Sequence, residues 1–445
     1  MEIRYDAFIF EKLAKIISAE GWVSFLKQGP SLEPLYPFVI SVSIKIASWL
    51  GISYQKVQSG MQVLILLLSQ LLLYKMLCAL RIRRTITALI VAYFGLSPAI
   101  INSTFSLFSE IITYPFIIGL IFLSVKIWQS ILKMDFKRTI CLGIAFSLLA
   151  CTATFAKAIL EYVFMLYLFP FLWLMIRSWR QNQLAQCRCC FAFIVLFMLI
   201  FQSLLHGYKR LNDQYNGHYT LTDSRGPYYF YQYAVQRAAP FDKDRFLIAL
   251  FSVPGENVCR AVYGERCRSW WWDNTSLGIK KAEELKSQGV ADKYINDKIM
   301  KLGIKEAASN PFQFTLFMSL EMVKLLFWES TKVGYVAYPR WVQWVYDIKN
   351  LSQFLRLFVF LLTTFSLFYT LKNIFYHRHR LYTDNSPDDA RFQLLFFLFY
   401  FTAVYILMYS LVLTITRYAF PVVSLYLAVM AFTLDKLLPP RHAIT

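Results

Sequence analysis

Four ionisable residues in this 445-residue chain stand beside long apolar runs. Asp6 opens the amphipathic stretch DAFIFEKLAKIISAE, and Glu110 follows a polar break in STFSLFSEIITYPF. Lys157 interrupts TATFAKAILEY, and Arg417 sits in TITRYAFP. Charges at the edges of apolar segments are costly unless they are paired or put to use. Glu110, Lys157 and Arg417 on one face would suit an anionic ligand carrying a hydroxyl to be activated. The cations would neutralise the anion, and the one acid would act on the hydroxyl. The alternative for each residue alone is an ordinary interfacial charge, its stem in lipid and its head in water.

Whether they share a face depends on the elements that carry them. Charged residues make up 16% of the chain, against about 25% in soluble domains. Nearly uncharged windows long enough to cross a bilayer recur near 58–80, 85–104, 111–131, 139–156, 158–176, 190–207, 352–371, 392–415 and 418–434. The chain therefore reads as an all-α polytopic membrane protein. The connecting stretches RIRR, KMDFKR, RSWRQNQLAQCR and KNIFYHRHR are strongly basic, whereas INSTFSLFSE, TATFAK and TITRYAF hold few cations. The positive-inside rule puts the basic loops in the cytoplasm and the sparse loops outside. That distribution also accounts for much of the net charge of +19, so a nucleic-acid partner is not expected.

This topology sets the organisation. Residues 58–207 form a core of six spans, 208–350 an extracytoplasmic domain, and 351–445 a region of three spans. A helix is expected over 282–308, and the run 311–328, with Glu321 and Lys324, reads as an interfacial helix. Residues 35–51 are short for a span and hold Lys45. If they cross, residues 1–34 are cytoplasmic; if they lie at the outer interface, Asp6 is external. Residues 1–25 mix charges throughout and lack the apolar core of a cleavable signal. Cys259 and Cys267 fall in the long polar segment, and outside the cytoplasm a disulfide is expected there.

Asp6 with its amphipathic helix, then AEGW, EPLYP and IASWLGISYQKV, resembles the first external loop of the GT-C glycosyltransferases. More narrowly it is similar to the protein O-mannosyltransferase and aminoarabinose transferase type. On that resemblance residues 1–57 are the first external loop with its juxtamembrane helices. Glu110 corresponds to the second acid, Lys157 to a Thr/Lys step after the next hairpin, and RYAFP to an RY-x-x-P phrase opening a late span. NGHYTLTDSRGPYYFY and ASNPFQFTLFMSLEMVKLLFW resemble the start of the external domain and the later interfacial helix of bacterial members. This sequence departs from the family in two ways: no transmembrane helix is seen before Asp6, and the second acid is Glu rather than Asp.

The resemblance implies inverting transfer of a sugar from a polyprenyl-phosphate donor to a lipid, glycan or protein acceptor outside the cytoplasm. It makes Asp6 the base and Lys157 and Arg417 the phosphate-binding cations. Glu110 would hold the acceptor, orient Asp6, or share Mg²⁺ or Mn²⁺ with it. Tyr228, Tyr229 and the run Trp270, Trp271 and Trp272 are aromatic enough to stack on sugar, although a tryptophan run also suits an interfacial belt. Arg225, His218 and Asp223 have no assigned role. The implied location is a bacterial inner membrane with the site facing the periplasm or exterior. Competing readings are a lipid or glycan transporter or flippase, which would need midplane charges and two similar halves, and a glycan polymerase or ligase using pyrophosphate-linked donors.

Overall fold

The computed structural model describes residues 6–29, 32–222, 225–270, 276–329, 349–384, 386–412 and 414–439. Every regular element among them is helical, and eight helices are long and apolar enough to cross a membrane. A bent pair, α5 (Arg84–Leu96) with α6 (Pro98–Phe105), turned by 46°, makes a ninth crossing when read as one broken span. The molecule is thus an all-α, multi-pass integral membrane protein. The nine apolar windows of the sequence fall one by one on these helices.

Before the first span come α1 (Asp6–Glu20), α2 (Trp22–Lys27) and α3 (Leu35–Leu50). The spans α4 (Tyr54–Ala79), α7 (Glu110–Leu132) and α8 (Phe136–Ala156) accompany the bent pair. The next crossing is Leu160–Arg180, built from α9 (Leu160–Tyr167) and α10 (Phe169–Arg180), with the long α11 (Leu184–Asn216) after it. Lipid supplies no hydrophobic drive for helices to associate, so close approach and internal hydrogen bonds must do it. Gly143 lets α8 lie on α11: a Cβ there would sit 3.2 Å from Leu196 and Phe193. Ser130 and Thr139 bond at 2.8 Å between α7 and α8, and the Tyr167 hydroxyl donates to Ser124 at 3.0 Å.

After α11 the chain builds a unit of shorter helices, none of them among the candidate spans: α12 (Arg225–Ala238), α13 (Lys243–Ser252), α14 (Glu256–Tyr263), α15 (Ser276–Ser287), α16 (Asp292–Ser309) and α17 (Pro311–Lys324). The helix expected over 282–308 is two helices, because Gly289 takes a left-handed φ of 82° that ends the first. Cys259 and Cys267 are joined by a disulfide, which closes a small core with Ile248, Ala249 and Phe317. Arg237, fully buried, docks this unit on the membrane core. Its Nη1 donates to the carbonyls of Ser410 and Leu411 at 2.6 and 3.3 Å, at the end of α19 (Pro387–Val412). A cation at the carbonyl end of a helix is favourably placed. The remaining spans are α18 (Lys349–Tyr376) and α20 (Phe420–Leu437).

Two ends of the bundle differ in character. At one end the basic loops hold one another: Arg81 pairs with Asp388 at 3.2 Å, Arg83 with Asp435 at 3.3 Å and Lys133 with Asp384 at 3.0 Å, while Arg177 stacks on Tyr382. At the other end α3 folds back along the start of α4 instead of crossing. Ser43 donates to Gln58 at 2.6 Å, and the Tyr54 hydroxyl donates to Glu11 of α1 at 2.5 Å. Both ends of α3 therefore lie at the end of the bundle away from the basic loops.

The bend between α5 and α6 has a specific cause. Pro98 disfavours helix at Ser97 and starts a new one. The buried carboxylate of Glu329, just beyond α17, fills the break: it accepts from Tyr93 at 2.6 Å, Ser97 at 2.8 Å and the Ala99 amide at 3.3 Å. Burial raises the Glu329 pKa above its usual value, and these donors with the charge of Arg356 offset that only in part. A group whose folded pKa is raised contributes stability that is complete below its unfolded pKa and is lost as pH climbs through the folded one. Thermal stability in detergent is therefore expected to decline as pH rises above the ordinary carboxylate range, and Glu329→Gln to flatten that decline. An unaltered slope in the variant would remove Glu329 as its source.

Candidate functional site

Glu110 and Arg417 stand at the N-terminal ends of the two most buried spans. Glu110 is the first residue of α7, where a carboxylate is favoured by the helix dipole. Its side chain is only 3% exposed. Lys157 immediately follows α8, the complementary place for a cation, and its Nζ meets Glu110 Oε1 at 3.0 Å. Arg417 lies in the short turn Thr416–Ala419 that leads into α20, close enough for its charge to act on Glu110. The sequence reading of these three residues on one face thus corresponds to a physical cluster.

Aromatic rings wall it. The Arg417 guanidinium lies 4.6 Å from the Phe108 centroid and 5.8 Å from that of Tyr418, and the Lys157 ammonium is 5.2 Å from Tyr418. Tyr409 packs on Tyr418 at 5.0 Å. Burial alone would lower the Lys157 pKa, but Glu110, Tyr409, Glu33 and Tyr418 outweigh it and hold the pKa above the ordinary lysine value. Lys157 therefore stays charged at neutral pH.

Glu33 was quoted within EPLYP but given no role, and the structure places it in the site. Its Oε1 accepts from the Ala158 amide at 2.9 Å, next to Lys157, so the N-terminal segment closes over the cluster. Tyr36 was likewise missed. Gln62 donates to its hydroxyl at 2.6 Å and to the Ser106 carbonyl at 3.0 Å, tying α3 to the loop before Glu110. The signal available for both was their closeness to Pro34 and Pro37, which mark a chain reversal between apolar segments.

Asp6 begins α1, and its side chain lies outside the described residues. Its backbone position is one helical turn before Phe10, which meets Tyr36 edge-on at 5.0 Å. The neighbouring Ala7 is buried in the same core as Tyr36 and Ile111. The start of α1 thus approaches the cluster from the N-terminal side.

The arrangement changes the roles open to Glu110. It is engaged by Lys157, a partner the sequence reading had not given it. Among the described residues no group of three or more His, Cys, Asp or Glu could hold a metal ion. Of the two described carboxylates here, Glu110 is paired with Lys157 and Glu33 accepts from the Ala158 amide, while the Asp6 side chain lies outside the described residues. Of the other candidates, Tyr228 packs its backbone closely against Gly278, and His218 is exposed. Asp223, Trp271 and Trp272, with the side chains of Arg225 and Trp270, lie outside the described residues. No protein-family model matches the chain, and no curated protein matches it either.

Proposed function

We propose that the chain is an integral-membrane glycosyltransferase that moves a sugar from a polyprenyl-monophosphate donor to a hydroxyl of a lipid, glycan or protein acceptor, with inversion. The observation that carries this reading is the buried Lys157–Glu110 pair beside Arg417 at the mouth of two central spans. Arg417 precedes the N-terminus of α20, an end that favours an anion and not a cation. A phosphate there satisfies both the guanidinium and the helix end.

In the proposed step the acceptor oxygen bonds to the anomeric carbon opposite the phosphate. The bond from that carbon to the phosphate oxygen breaks, and its electron pair leaves with polyprenyl phosphate. The acceptor proton passes to the Asp6 carboxylate. Arg417 and Lys157 stabilise the negative charge that develops on the leaving group, and Glu110 keeps Lys157 in place. We assign the reaction to a bacterial inner membrane, with the site facing the periplasm. The basic loops suit the cytoplasmic side, and the Cys259–Cys267 disulfide suits an oxidising compartment.

The test is release of labelled polyprenyl phosphate from a panel of polyprenyl-monophosphate sugars by the purified protein with membrane extracts as acceptor source. Release dependent on extract is expected. Release from pyrophosphate-linked donors alone would move the protein to the polymerase or ligase class, and no release from any donor would overturn the reading.

A further inference from the structure

At the opposite, basic end of the bundle, the ends of α18, α19 and α20 enclose a cavity of 280 Å³ that the proposed transfer does not use. Its lining sets Arg380, Arg391 and Lys436 against one carboxylate, Asp388, with His377 beside them and Phe432 as part of the wall. Asp388 is already shared, lying 3.2 Å from Arg81 and 4.0 Å from Arg380. Arg391 comes no nearer than 4.0 Å to Asp435, which is taken at 3.3 Å by Arg83. The local carboxylates therefore do not satisfy the cations of the cavity.

Arg391 is the decisive residue. Its guanidinium lies 5.4 Å from the Phe432 centroid, and its Nε and Nη2 are shielded from solvent with no hydrogen-bond partner among the described residues. A shielded donor without an acceptor is costly, and an anion with several acceptor oxygens would remove that cost. Height in the bilayer points to the source of the anion. Arg391 stands in the second turn of its span and Lys436 in the last turn of α20, so the cavity sits where the helices leave the hydrocarbon.

We propose that this cavity binds the phosphate headgroup of an anionic phospholipid. Arg391 and Lys436 contact the phosphate oxygens, and basic pockets between spans at this level are suited to such headgroups. The site acts independently of the transfer reaction.

The experiment is a thermal-shift titration of the delipidated, detergent-purified full chain with dihexanoyl phosphatidylglycerol, dihexanoyl phosphatidylcholine and inorganic phosphate. Phosphatidylglycerol is expected to raise the melting temperature at concentrations where the other two do not. Arg391→Gln and Lys436→Gln are each expected to need about fivefold more phosphatidylglycerol for the same shift. Arg188→Gln, an exposed cation of the same face outside the cavity, is expected to titrate as the native protein does. Lys436 is exposed, so its variant decides the matter even if Arg391→Gln does not fold. Equal shifts with phosphatidylcholine, or a native titration in either cavity variant that folds, would overturn the site. A full shift with inorganic phosphate at the same concentration would overturn the lipid source in favour of the free ion.

Discussion

Lys157→Met is expected to lower sugar transfer by about 10²–10³-fold, the usual effect of losing one preorganised charge at a leaving group. The same substitution is expected to destabilise the protein, because Glu110 is buried and its 3.0 Å partner is gone. Breaking a buried ion pair from one side costs about 3–5 kcal/mol. The nearby charge of Arg417 should keep the loss toward the lower end. The double variant Glu110→Gln with Lys157→Met removes both charges together, and most of the thermal stability should return. Transfer should not return, since the phosphate still lacks its cation. Parallel measurements of turnover and melting temperature separate the two effects. Native turnover in the double variant would make the pair a packing feature and sink its assignment to the donor phosphate.

The second large effect is expected at Asp6. Asp6→Asn removes the proposed proton acceptor while keeping its size, and kcat should fall by about 10²–10⁴-fold, the range for a positioned general base. Donor KM should stay near the native value because the phosphate-binding cations are untouched. Arg417→Gln should show the converse emphasis, raising donor KM strongly. A native kcat for Asp6→Asn would remove Asp6 from the mechanism and leave the acceptor proton to another group.

The spans were legible in the sequence because a bilayer demands about 20 apolar residues in a row, a local property. The shared face of Glu110, Lys157 and Arg417 was legible for a related reason: loop charge alternates with crossing, so the face of each loop follows by counting. What the residues do to one another was not legible. The Lys157–Glu110 contact joins residues 47 apart, and the Glu33–Ala158 hydrogen bond joins residues 125 apart. Hydropathy carries no information about such pairings. The bend in the second crossing was partly legible, since Pro98 disfavours helix at the residue before it. Its clamp was not, because Glu329 reaches Ala99 across 230 residues. Gly289 was visible within the run read as one helix over 282–308, and its left-handed backbone is what divides that run.

The Glu329 clamp also bears on the order in which the protein can be assembled. Tyr93, Ser97 and the Ala99 amide enter the membrane region early in synthesis, but their acceptor is made much later. At roughly 5–20 residues per second, the 230 residues between Ala99 and Glu329 take roughly 10–50 s to emerge. During that interval the second crossing lacks the acceptor that fixes its bend. It acquires its final shape only when the segment leaving α17 returns to the membrane surface. The hydrogen bonds that hold this bend therefore cannot all form until a residue 230 positions later has been made.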